Sequence, residues 1–283
     1  MASSRIPPRS SVPSRPPYSE AGSSPEGVPI MRYGRVGVVP WSFSDTLRGL
    51  TLTLVPWFVF IAYSQIAAAH ADTTTLKVLT RGQDVEQGIS VLVLTALIEG
   101  VFLIAPLYFT LGRRENGASR AEALDALGFR AVPLRGAILL VGGGFAAVLA
   151  VTFLYTFVVE QFKLGLQTNV DGLLNELHVE PVTVLCTLFG AVFVAPICEE
   201  TFFRGFAFAG LLRGMNVVLA GLVSAVLFTA AHGDLGSAAP LFVLGLLLAN
   251  LRWRTGSIWP SIALHMLNNL FAAVFVIVAL VHP

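Results

Sequence analysis

Long apolar runs decide what this sequence can fold into. Segments 49–69, 89–111, 136–159 and 257–281 are each long enough to cross a hydrocarbon core, which takes about 20 residues of helix. A nearly continuous apolar tract fills 182–251. "LLRGMN" at 211–216 and "HGDLGS" at 232–237 divide it into spans near 187–212, 216–233 and 238–251. The count is seven, or eight if 173–188 inserts separately. A backbone in lipid must satisfy its own hydrogen bonds, so the expected fold is all-α, a polytopic membrane helix bundle. Composition agrees: 12% of residues are charged, against about 25% in soluble domains.

The ends and loops orient this bundle. Residues 1–44 are rich in Pro, Ser and Arg and lack an apolar run, which predicts a disordered cytoplasmic tail before a membrane domain at 45–283. No secretory h-region precedes Trp41. Arg5, Arg9, Arg15, Arg32, Arg35 and Arg48 precede the first span, and Arg113, Arg114, Arg120, Arg130 and Arg135 follow the second. Arg213 follows the fourth span, and Arg252 and Arg254 follow the sixth. The opposite loops hold only Lys77, Arg81 and Lys163, and 160–181 leans acidic. The positive-inside rule then puts the N-terminus in the cytoplasm and the C-terminus on the far side. Arg outnumbers Lys 16 to 2, which suits a GC-rich bacterial genome and a plasma membrane. Net charge is only +1, so nothing here argues for a nucleic-acid partner. Cys186 and Cys198 both lie in apolar sequence and read as free thiols.

Against this background the charges inside the spans stand out: Glu99, Glu199, Glu200 and Arg204, with His232 and His265. Intramembrane ionisable groups are costly and mark functional sites by default. Glu200 and Arg204, four residues apart on a helix, can neutralise each other and merely fix it. That leaves Glu199 unexplained, because adjacent helical positions point about 100° apart. By helical rise Glu199 lies roughly 21 Å, His232 24 Å, His265 16 Å and Asn269 22 Å from the cytoplasmic helix ends, which predicts one shared polar pocket. Glu with His can activate water. A second His with an Asn can hold an oxyanion. Such a set reads as acyl-bond hydrolysis, most readily of a peptide. The same side chains could also hold Zn²⁺ through Glu199, His232 and His265, although no His-Glu-x-x-His sequence is present.

Three stretches also match known motifs in order. "EETFFR" at 199–204 fits Glu-Glu-x-x-x-Arg, "FTAAH" at 228–232 fits Phe-x-x-x-His, and "HMLNN" at 265–269 fits His-x-x-x-Asn. Over roughly 182–275 the chain resembles the CAAX protease and bacteriocin-processing (CPBP) family of intramembrane endopeptidases, which includes the Ras-converting type. The resemblance implies that Glu199 is the general base and His232 helps it position water. Glu200 and Arg204 would support them, and His265 and Asn269 would stabilise the oxyanion. Its implied substrate is a membrane-associated protein or peptide in the bilayer: CAAX-type, bacteriocin-type or C-terminal sorting-type. The expectation favours no cofactor, with zinc as the alternative. Glu99, in "ALIEGVF", belongs to no motif and could line the cavity or pair with a polar group. "GGG" at 142–144 reads as close helix packing. The rival function is a non-catalytic membrane protein for binding, immunity or transport, against which the lack of visible repeats counts.

Overall fold

A computed structural model describes residues 36–70, 80–112, 119–166 and 180–281. Among them every regular element is helical. In chain order they are α1 (Phe43–Ala69), α2 (Arg81–Leu107), α3 (Arg120–Leu127), α4 (Leu134–Gln161), α5 (Pro181–Leu211), α6 (Val217–Ala231), α7 (Ala238–Thr255) and α8 (Trp259–Val281). Helices α1, α2, α4, α5 and α8 are long and apolar enough to cross a membrane. With 15 and 18 residues, α6 and α7 reach about 22 and 27 Å. With these two the apolar helices number seven. The separate eighth span at 173–188 does not form in its described part, because residues 181–188 are the first turns of α5. Residues 167–179 lie outside the described residues.

Helix α5 starts where it does for two reasons. Pro181 occupies its first position, where no donor is needed. Asp84 of α2 then accepts from the freed Val182 and Thr183 amides at 3.0 and 2.8 Å, an N-cap supplied by a neighbouring helix. From there α2 and α5 run side by side and parallel. Gly88 meets Val182, Thr95 meets Gly190, and the Phe102 ring lies 5.3 Å from that of Phe202. Parallel alignment is what alternating spans two apart require.

The core gathers at the C-terminal half of α5. Phe202, Phe203, Phe206 and Phe208 are buried there with Trp41, Phe102, Phe109 and Phe228. Outward positions such as Leu52, Leu97, Leu139 and Phe153 are exposed apolar side chains, the surface a lipid-embedded bundle presents. Val36, Val39 and Trp41 belong to the core. Residues 36–42, expected within a disordered tail through residue 44, instead pack against the core, and residues 1–35 lie outside the described residues. Burial of these three residues holds 36–42 against the bundle, a gain the local Pro/Ser/Arg composition could not reveal.

Short helix α3 is fixed at both ends. Ser119 and Glu122 form a capping box, and Gly128 closes the helix with φ +94°. Its end is tied to the α7–α8 turn: Ile258 N–H donates to Gly128 O at 2.9 Å, and Ser257 Oγ donates to Arg130 O at 2.7 Å. Of the three glycines at 142–144 only at Gly144 would a Cβ meet a neighbour, Leu264 of α8; at Gly142 and Gly143 it would meet no described atom within 4 Å. The packing expected of all three rests on one.

A candidate active site in the bundle

Helix α5 is not a uniform α-helix. It widens into π-helical turns at Gly190–Val194 and Thr201–Phe208, and the six residues between them, Ala195–Glu200, carry both glutamates. Wider turns leave backbone carbonyls without their usual donors, and side chains of neighbouring helices supply some of these. Ser224 Oγ of α6 donates to Phe203 O at 3.3 Å, and Arg252 Nε of α7 donates to Arg204 O at 3.3 Å. The helix bearing the glutamates is thus held by polar contacts as well as by packing.

The structure brings Glu199, Glu200, Arg204 and His265 together. Glu200 and Arg204 are fully buried. Arg204 Nη1 donates to Glu200 Oε1 at 2.8 Å and its Nη2 to Gly245 O of α7 at 3.2 Å. His265 Nδ1 lies 3.1 Å from the same Glu200 Oε1, while its Nε2 lies 4.0 Å from Glu199 Oε2. One histidine of α8 therefore faces both acids. Glu200 is committed through Oε1 to a cation and an imidazole; among the described residues the Oε2 atoms of Glu199 and Glu200 are both buried with no hydrogen-bond partner.

Phe228 links this cluster to His232. The Arg204 guanidinium lies 4.3 Å from the Phe228 ring centroid, a cation–π distance. That ring lies 4.6 Å from the His232 ring and 5.5 Å from the His265 ring. His232 ends α6, and its Nδ1 lies 2.8 Å from Phe228 O. A carbonyl only accepts, so Nδ1 carries a proton, and in the neutral ring Nε2 then keeps its lone pair. Trp57 Nε1 of α1 donates to Ala231 O at 2.8 Å and fixes the turn holding this histidine. Phe228 belongs to the second motif, yet sequence reasoning gave it no role. Its spacing four residues before His232 was the available signal.

Asn269 lies one turn beyond His265 on α8, and its Nδ2 donates to Ala191 O of α5 at 2.9 Å. Glu99 of α2 also reaches the site. It lies one turn beyond Thr95 in the α2–α5 register, interacts electrostatically with Glu199, and has a buried Oε2 without a partner. A lone acid without a motif could not be placed there from sequence. Among the described residues no three His, Cys, Asp or Glu side chains converge closely enough to hold a metal ion. Of the conditional zinc set Glu199, His232 and His265, only Glu199 and His265 meet. Cys186 and Cys198 are free thiols.

Residues 181–271 match the family model described as type II CAAX prenyl endopeptidase Rce1-like. A curated protein of Bacillus subtilis (strain 168), named "Putative membrane peptidase YdiL", is 31% identical over 114 residues, covering 40% of this chain and 45% of that protein. The match thus spans less than half of that relative. No solved structure matches significantly. The resemblance read from the three motifs is borne out over this segment, and the chain is an integral membrane protein.

Proposed function

We propose, from the premise that residues 181–271 carry an Rce1-like CAAX endopeptidase domain, that the chain is an intramembrane endopeptidase. Its substrate is a membrane-associated protein or peptide, with CAAX-type, bacteriocin-type and C-terminal sorting-type substrates all compatible. The observation that carries this reading is the asymmetry of adjacent acids. Glu200 Oε1 is occupied by Arg204 and His265, whereas Glu199 makes no hydrogen bond among the described residues and meets only the His265 imidazole, at 4.0 Å.

Glu199 takes a proton from water, and His232 Nε2, with its lone pair free, helps orient that water. The resulting hydroxide attacks the scissile carbonyl carbon. The His265 ring and the remaining N–H of Asn269 stabilise the developing oxyanion. The C–N bond then breaks, and the proton held by Glu199 passes to the leaving amine. Products are a carboxylic acid and an amine, which exchange a proton to give carboxylate and ammonium, and Glu199 is regenerated. Arg204 holds Glu200 in place, and Glu200 in turn orients His265. The arginine-rich loops support a cytoplasmic N-terminus in a bacterial plasma membrane.

The test compares new protein termini in membranes containing wild-type protein or Glu199→Ala. Wild-type membranes alone should yield them, and identical termini in both would overturn the hydrolase reading. The same purified protein should keep its activity after exhaustive chelation and contain no stoichiometric zinc. Loss on chelation with rescue by Zn²⁺ would replace the metal-free mechanism by the zinc-dependent one.

A further inference from the structure

Pro196 stands three residues before Glu199, inside α5. Its ring removes a backbone donor. The neighbouring Ala195 N–H donates to Gly190 O, across the π-helical turn. The carbonyl of Ala191 therefore has no donor in its own helix. An α-helical pairing would use the Ala195 N–H, which is already committed, and a π-helical pairing would use an N–H that Pro196 lacks. Inside a bilayer an unpaired carbonyl is costly, because lipid offers no replacement donor.

The donor comes from α8. Asn269 Nδ2 reaches Ala191 O at 2.9 Å, and Asn268 Nδ2 donates to Asn269 Oδ1 at 3.2 Å, which turns the carboxamide so that its N–H face points to α5. His265, one turn away on the same face of α8, meets Glu200 and Glu199. We propose that Asn269 is a positioning residue: it closes the carbonyl that Pro196 opens in α5 and so holds α8, with His265, in register with Glu199. One N–H of the carboxamide performs this anchoring, and the other is left for the oxyanion. The proline before the glutamates and the asparagine after the histidine are two halves of one joint. Its catalytic consequence rests on the endopeptidase reading; the joint itself does not.

A double-mutant cycle tests it. Asn269→Ala should lower the Tm of the full-length protein in detergent by about 3–8 °C, the effect of stranding one buried carbonyl. Pro196→Ala supplies the missing N–H, so adding Asn269→Ala in that background should lower Tm by less than about 2 °C. Turnover lost in Asn269→Ala should partly return in the double variant, through kcat rather than KM. Equal Tm losses in both backgrounds would overturn the joint. Coupled Tm values without any proteolytic activity would keep the joint and remove the enzyme. Should Pro196→Ala not fold, the carbonyl carbon shift of Ala191 in isotope-labelled protein reads the bond directly. It should move upfield in Asn269→Ala, and an unmoved shift would sink the proposal.

Discussion

Adjacent glutamates in one helix have separate environments here, and that difference can be measured. Glu199→Gln keeps the shape of the side chain but removes the base, so turnover should fall about 10²–10⁴-fold while thermal unfolding changes little. Glu200→Gln weakens the charge partner of a fully buried arginine and the acceptor for His265 Nδ1. Breaking a buried ion pair costs about 3–5 kcal/mol, so this variant should unfold at a clearly lower temperature. Unfolding in detergent and processing of a cellular substrate, measured on both, check the split. An active Glu199→Gln protein would end the hydrolase reading. The division between the two acids was foreseeable from i, i+4 spacing to Arg204, but the hold of His265 on Glu200 was not. Residues 65 positions apart meet only after α5 and α8 pack.

At the scale of the element, the cross-helix cap on α5 sets where that helix begins. Asp84 receives the Val182 and Thr183 amides and the Thr183 hydroxyl. Asp84→Ala strands these donors and should destabilise the protein by about 1–3 kcal/mol, whereas Asp84→Asn keeps one acceptor and should lose less. Thermal unfolding of the two variants checks this, and equal stability of wild type and Asp84→Ala would refute it. Apolar length in the sequence located α5 to within several residues, with its start expected near 187 and observed at 181. Propensity and hydropathy could not show the true start, because the residue that caps it lies on α2.

For the molecule as a whole, charge bias and helix packing bear on orientation independently. From the arginine count we propose a cytoplasmic loop after α2 and a loop on the opposite side after α4. The parallel run of α2 and α5 agrees with two crossings, by α2 and α4, from the start of one to the start of the other. Reporter fusions after residue 120 should therefore read cytoplasmic, and fusions after residue 170 should read the far side. Reports from the same side would show that α4 does not cross.

The sequence by itself determined the helical membrane class, seven apolar segments and the motif residues worth examining. These follow from local quantities: apolar length against bilayer thickness, loop charge, and expensive polar groups at helical depth. Tertiary structure decided which polar groups share partners. Glu200 joins Arg204 to His265, Phe228 bridges His232 and His265, and Glu99 comes to Glu199 from a helix without a motif. It also decided that 36–42 packs against the core. The physical reason is common to all of these: each contact spends a group on a partner distant in sequence. Periodicity reports which face of a helix is polar, but only the packed bundle determines what that face meets.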